Sequence, residues 1–298
     1  MKALCVVFAL FWALAAGAQQ DRERERERGG HQELIPALGA LDRGDVQQAI
    51  DSLRPLAVNG NLEAQYVLGS VLETASPPLR DIAAARDWYQ RAAEAGHAGA
   101  QNNLGAMYYD GRGVLRNPIE ASKWYKLAAE QGHAVALTNL ALMYGEGVGV
   151  QQDPAEMAKL LQKAAEAGDA RAQAQLGRLY LDGEGVPQNP AEAIKWFRAA
   201  AAQDNDSAAL FLAIMLQRGI GAPRDLEAAT AWFRRAADHG NRIAMLEFAK
   251  AYELGLGVTA DAAQAKVWRE RASAKPDPEA KKADVPSDQR ADPRPAKR

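Results

Sequence analysis

The chain has 298 residues, with 36 Lys and Arg against 38 Asp and Glu and a formal net charge of -2, so it carries neither a polyphosphate-binding footprint nor a dominant acidic tail. Hydrophobic residues at 48% and charged residues at 25% are the proportions of a chain that buries a core. A single cysteine, Cys5, excludes an intramolecular disulfide framework and a thiolate metal cluster, so packing must hold the fold.

Taken in chain order, Met1 and Lys2 give a positive start, residues 3–15 run apolar, and Ala16-Gly17-Ala18 places small residues at the −3 and −1 positions of a cleavage site. This pattern predicts a secretory signal peptide over 1–18, cleaved between Ala18 and Gln19. The apolar run is shorter than the about 20 residues of a membrane-spanning helix, so stable membrane insertion is not expected after cleavage; a retained anchor is the alternative. An exported chain left without cysteine fits a bacterial periplasm, or secretion, better than a small disulfide-stapled secreted domain. The alternating charges of Asp21 to Arg28 read as a solvated linker, so 19–44 is taken as a charged linker and N-terminal segment. At the other end, 274–298 mixes Pro276, Pro278, Pro293 and Pro295 with charges and alanines, without apolar spacing, and is expected to be disordered.

Between these tails the sequence repeats every 36 residues. Trp88, Trp124, Trp196, Trp232 and Trp268 mark the period, with Leu160 in the missing place, and Ala64, Ala100, Ala136, Ala172, Ala208 and Ala244 give it again without a gap. A period of this length signals an array of small supersecondary units. One unit, Ala98 to His133, shows the grammar. Ala100, Leu104, Met107 and Tyr108 form one helix face; Gly111 and Gly113 break it; Asn117-Pro118 caps a second helix whose face is Ala121, Trp124, Tyr125, Ala128 and Ala129; Gly132 ends that helix. The turn glycines return as Gly147/Gly149, Gly183/Gly185, Gly219/Gly221 and Gly255/Gly257, and the second-helix caps as Asp81, Asp153, Asn189, Asp225 and Asp261. Small residues at Gly69, Gly105, Ala141, Gly177, Ala213 and Ala249 leave room for large aromatics opposite. Asp45 to Asn59 keeps the second-helix register and reads as an N-terminal cap.

The string Ala100-Gln101-Asn102-Asn103-Leu104-Gly105-Ala106-Met107-Tyr108, followed by Gly111-x-Gly113-Val114, Asn117, Ala121, Trp124-Tyr125, Ala128-Ala129 and Gly132, resembles the Sel-one-like repeat, a relative of the tetratricopeptide repeat. It returns around Ala172-Gln173, Leu176-Gly177 and Gly183-x-Gly185-Val186, and the resemblance covers 45–273. It implies an all-α fold, a right-handed α/α superhelical solenoid of about six repeats, acting as an adaptor for partner proteins in quality-control, secretion or envelope complexes. It implies no chemistry for any residue. Bacterial relatives linked to β-lactam or peptidoglycan binding resemble disulfide-stapled versions, which a cysteine-free chain does not match.

The remaining residues offer no catalytic set, and no cofactor or metal is expected. His97 and His133 share a column with Asn61, Asp169, Asn205 and Asn241, a helix-capping position, and residues one repeat apart sit about 10 Å from each other, too far to share an ion. No Ser-x-x-Lys or Gly-x-Ser-x-Gly motif is present, and the GxG turns lie between helices rather than after a strand. At its spacing the tryptophan column reads as core.

In arrays of the resembled family, first helices line the concave surface, and two columns there change along the chain: Tyr66, Asn102, Thr138, Ala174, Leu210, Leu246, and Ser70, Ala106, Leu142, Arg178, Ile214, Lys250. Leu210 and Ile214 lie one turn apart and, with Phe211 and Leu246, form a candidate apolar patch in the groove, bordered by Arg178 and Leu142. The alternative is that this unit has shifted its packing, since Asp204 replaces a capping glycine and Ala222 a valine. The expectation is a periplasmic scaffold binding another protein, without nucleic acid. The alternatives are a periplasmic peptidoglycan or muropeptide binder using aromatics such as Tyr66 or Tyr109, and a β-lactam or cell-wall hydrolase.

Overall fold

A computed structural model describes residues 32–274; the segment expected to be a signal peptide, the charge-alternating run and the prolines of the tail lie outside them. Among the described residues every regular element is a helix. The first, α1, spans 32–42. It is followed by α2 (Val46–Val58), α3 (Leu62–Thr74), α4 (Ile82–Glu94), α5 (Ala98–Asp110), α6 (Pro118–Glu130), α7 (Ala134–Glu146) and α8 (Pro154–Glu166). Then come α9 (Ala170–Asp182), α10 (Pro190–Ala202), α11 (Asp206–Arg218), α12 (Leu226–Asp238), α13 (Arg242–Leu254) and α14 (Ala262–Ser273). The described residues divide into two compact units: 32–107 with Arg112–Val114, and Tyr108–Gly111 with 115–274.

The helices start where the sequence supplies an acceptor. Asn61, His97, His133, Asp169, Asn205 and Asn241 each take the backbone N–H of the alanine three residues on, at Ala64, Ala100, Ala136, Ala172, Ala208 and Ala244. Those alanines are fully buried, so one column sets both the cap and the closest packing. The second helices are capped in the same way by Asp81, Asn117, Asp153, Asn189, Asp225 and Asp261, with proline at the first position of α6, α8 and α10.

The first helices stop at left-handed glycines, Gly147, Gly183, Gly219 and Gly255. The second glycine of each turn is required twice over. Gly185 has φ +70°, and a Cβ there would stand 2.2 Å from the Pro154 carbonyl oxygen of the preceding unit's second helix. A polar device the sequence analysis missed closes the first helix's C-terminal end. The side chains of Arg116, Gln152, Gln188 and Arg224 donate to the carbonyls of Tyr109, Gly145, Leu181 and Gln217, at 2.8 to 3.0 Å.

In the first unit, Leu34 and Ala37 of α1 join Ile50, Leu53 and Ala57 of α2 and the buried face of α3 in one core. The N-terminal cap is thus a helical hairpin, of which only α2 was foreseen. Gly69 of α3 lets the Tyr89 ring lie against the backbone, where a Cβ would meet it at 2.8 Å. In the second unit each helix from α6 to α14 packs on its neighbours in sequence, and α10, α11, α12, α13 and α14 share a continuous core.

The deepest aromatic column is not the tryptophans but the residues that follow them. Tyr89, Tyr125, Leu161, Phe197 and Phe233 are buried, whereas Trp88, Trp124 and Trp232 are half-exposed. A cation lies over several of the tryptophan rings: Arg91 over Trp88 at 4.7 Å, Arg235 over Trp232 at 5.3 Å and Arg271 over Trp268 at 4.6 Å. The core reading holds fully for Trp196 and Trp268, and Trp88 and Trp232 pack against the core while staying partly exposed.

Candidate functional site: the first-helix face of the second unit

The candidate residues fall on four first helices of the second unit: Leu142 on α7, Arg178 on α9, Leu210, Phe211 and Ile214 on α11, and Leu246 on α13. They are not equally available. Leu210 and Ile214 are half-buried and pack against the core built on α10 and α12. Phe211 stacks on Phe197 of α10, with ring centroids 5.2 Å apart and planes 11° from parallel, so it is held in a packing role. Leu142 is half-buried, while Arg178 is exposed.

Among the described first helices, exposed apolar surface is concentrated instead on α13. Ile243 is 59% exposed, Leu246 46% and Leu254 58%, and together with the exposed Lys250 they follow one helix face. The opposite face is buried through Ala244, Phe248, Ala249 and Ala251. Sequence reasoning found Leu246 and missed Ile243 and Leu254. The signal was there for Leu254, which stands in a column with Glu146, Asp182 and Arg218, polar residues that mark it as solvent-facing; the Ile243 column is mixed, with Val135 beside Arg171 and Ser207.

The ionisable groups around this face are mostly committed. Asp206 pairs with His239, Glu253 with Arg269, and Asp204 with Arg235 at 2.7 Å. Arg235's hydrogen bond and charge hold the Asp204 carboxyl below its usual range. Asp204 takes the left-handed conformation of the glycine it replaces, with φ 63°. Tyr109 donates to Glu146 at 3.3 Å, and partial burial, the Glu146 charge and this hydrogen bond all push its phenol up.

Two of the described histidines, His97 and His133, cap helices, and the third, His239, pairs with Asp206. His97 accepts from Ala100 at Nδ1, so its neutral form carries the proton on Nε2, which lies 3.1 Å from Glu63 Oε2. Its ring stacks on Tyr66 at a centroid distance of 4.6 Å, which occupies one face of that tyrosine. Among the described residues no cluster of three His, Cys, Asp or Glu side chains is placed to hold a metal, and no helix is long and apolar enough to cross a membrane.

Capped helix hairpins at a fixed period, joined by glycine turns and packed neighbour to neighbour, define the class: an all-α repeat solenoid. The Sel1 repeat model matches residues 62–97, 98–133, 134–169, 170–205, 206–241 and 243–277, and the chain belongs to the Sel1 repeat family. Proteins of this family generally mediate protein–protein interactions and are generally non-catalytic. Two crystal structures are similar over most of the chain. One is c5321, a protective antigen present in uropathogenic Escherichia coli strains and displaying an SLR fold, 35% identical, with a TM-score of 0.71 over 75% of this chain and 48% of that one. The present chain therefore spans about half of that protein's length. The other is a Sel1 repeat protein from Oxalobacter formigenes, 33% identical, with a TM-score of 0.70 over 82% of this chain and 98% of that one. No curated protein matches the chain.

Proposed function

We propose that this protein is an exported, non-catalytic scaffold that binds another protein along the first-helix face of α9, α11 and α13. The observation that carries the reading is the apolar stripe Ile243, Leu246 and Leu254, which stays open to solvent on a helix whose other face is fully packed. Leu210 and Ile214, half-exposed on α11, extend the same kind of surface, and Arg178 and Lys250 add charge to it. The non-catalytic part is supported by where the suggestive side chains go: His97 and His133 cap helices, and the GxG glycines make turns against a neighbouring backbone. Export rests on the Met1 to Ala18 pattern, and fractionation with N-terminal sequencing tests it; a mature chain starting at Gln19 supports it and a cytoplasmic chain starting at Met1 overturns it.

Binding is tested by crosslinking capture from intact cells, with wild type against Leu246→Glu/Leu254→Glu and against Leu210→Glu/Ile214→Glu. A protein partner lost in the first variant, with unchanged circular dichroism, supports the reading. Equal capture by wild type and both variants overturns the site. Retention on purified sacculus without protein capture overturns the class of ligand.

A further inference from the structure

The outer face of α6 breaks the pattern of its siblings. Ile119 is 61% exposed and Leu127 43%, two turns apart on one face, and Leu115 in the turn just before is 91% exposed. At the registers of Ile119 and Leu127, α8 carries Ala155 and Lys163, α10 carries Ala191 and Ala199, and α12 carries Glu227 and Arg235. Among the described second helices, α6 alone exposes two large apolar side chains.

The charges around this stripe are complementary to themselves. Reversing α6 end for end about Lys123 sets Ile119 opposite Leu127 and Glu120 opposite Lys126. The two exposed apolar residues of the helix meet each other and its acid meets a base, along the seam spacing of an antiparallel helix pair. The same reversal of α8 about Lys159 sets Ala155 against Lys163, Glu156 against Gln162 and Gln152 against Glu166, with no match. On α10, about Lys195, Glu192 meets Arg198 but the apolar pair is only Ala191 with Ala199, and on α12, about Ala231, Glu227 meets Arg235 with no large apolar pair beside it. Lys123 meets its own copy at the axis, and Glu120, 2.9 Å from its ammonium, offsets the charge there.

We propose that α6 is a self-association surface, on which a second copy of this chain packs α6 against α6, antiparallel, about a two-fold axis at Lys123. Such an interface is isologous, so each half presents both the Ile119 end and the Leu127 end, and pairing closes at two copies.

The test uses the full chain in a Cys5→Ser background. Under mild oxidation, Lys123→Cys is expected to give a disulfide-linked dimer, because the axis residue is the one that meets itself, whereas Lys159→Cys and Lys195→Cys at the same register of α8 and α10 stay single. In sedimentation, wild type is expected at twice the mass of one chain. Ile119→Glu/Leu127→Glu and Glu120→Lys should fall to one, and Glu120→Lys/Lys126→Glu should return to two, all with unchanged circular dichroism. A monomeric wild type overturns the proposal, as does equal crosslinking from all three cysteines or a dimer that survives Ile119→Glu/Leu127→Glu.

Discussion

The Nδ1 atom of His133 accepts the backbone N–H of Ala136 at 3.2 Å, and so does for α7 what the Asn205 side chain does for α11 at 2.9 Å. Imidazole and amide are interchangeable here because the helix end needs only an acceptor three residues before its free N–H. His133→Asn is therefore expected to leave stability unchanged in urea denaturation, while His133→Ala costs about 1 kcal/mol. Zinc should not shift the melting temperature of either variant or of wild type, since the nitrogen is already committed to the cap.

Two glycines separate backbone strain from steric exclusion. Gly168 has φ +93° with open space around it, whereas Gly185 has φ +70° and faces the Pro154 carbonyl. Gly168→Ala should cost about 1 kcal/mol, from the left-handed backbone alone. Gly185→Ala should cost about 3 kcal/mol, because the added methyl also has to displace the neighbouring unit's helix. Chemical denaturation of the two variants in parallel measures the difference.

Burial raises the Tyr89 phenol, the largest influence on it, and the hydroxyl donates to Glu73 at 3.0 Å. With the folded value above the unfolded one, the stabilisation is complete below about pH 10 and is lost as pH rises through the folded value, because unfolding then releases a proton. Tyr89→Phe should flatten the alkaline fall in melting temperature that wild type shows above about pH 10.

Covering a half-exposed leucine gains about 1 kcal/mol. Leu246→Ala/Leu254→Ala should therefore weaken partner binding roughly 30-fold, at about 2 kcal/mol for the pair. The melting temperature should stay nearly unchanged, since neither side chain fills the core. Titration of the captured partner against both proteins checks the ratio.

The architecture was legible because the 36-residue period repeats the residues that make it: cap, buried alanine, turn glycines and second cap. The α1 helix was not, because 32–42 lies outside the repeat register and holds Pro36 and Gly39, residue types that usually end helices, while Leu34, Ala37 and Ala40 bury one face. The candidate surface was legible only in part. Phe211 and Leu254 are equally apolar on paper, but the Phe211 ring finds Phe197 across its hairpin and Leu254 finds solvent. That distinction depends on the depth of the neighbouring helix, which the residue type does not encode. The comparison between columns, where Leu254 replaces charged or polar residues, was the usable signal.

The central claim is that the first-helix face at α13 holds a protein partner, and site-specific photocrosslinking in intact cells tests it most directly. A photoreactive residue in place of Lys250, in the middle of the α13 stripe, should yield a discrete protein adduct, while the same residue in place of Lys159, exposed on α8, should yield none. An adduct from Lys159 alone, or none from Lys250, would contradict the account.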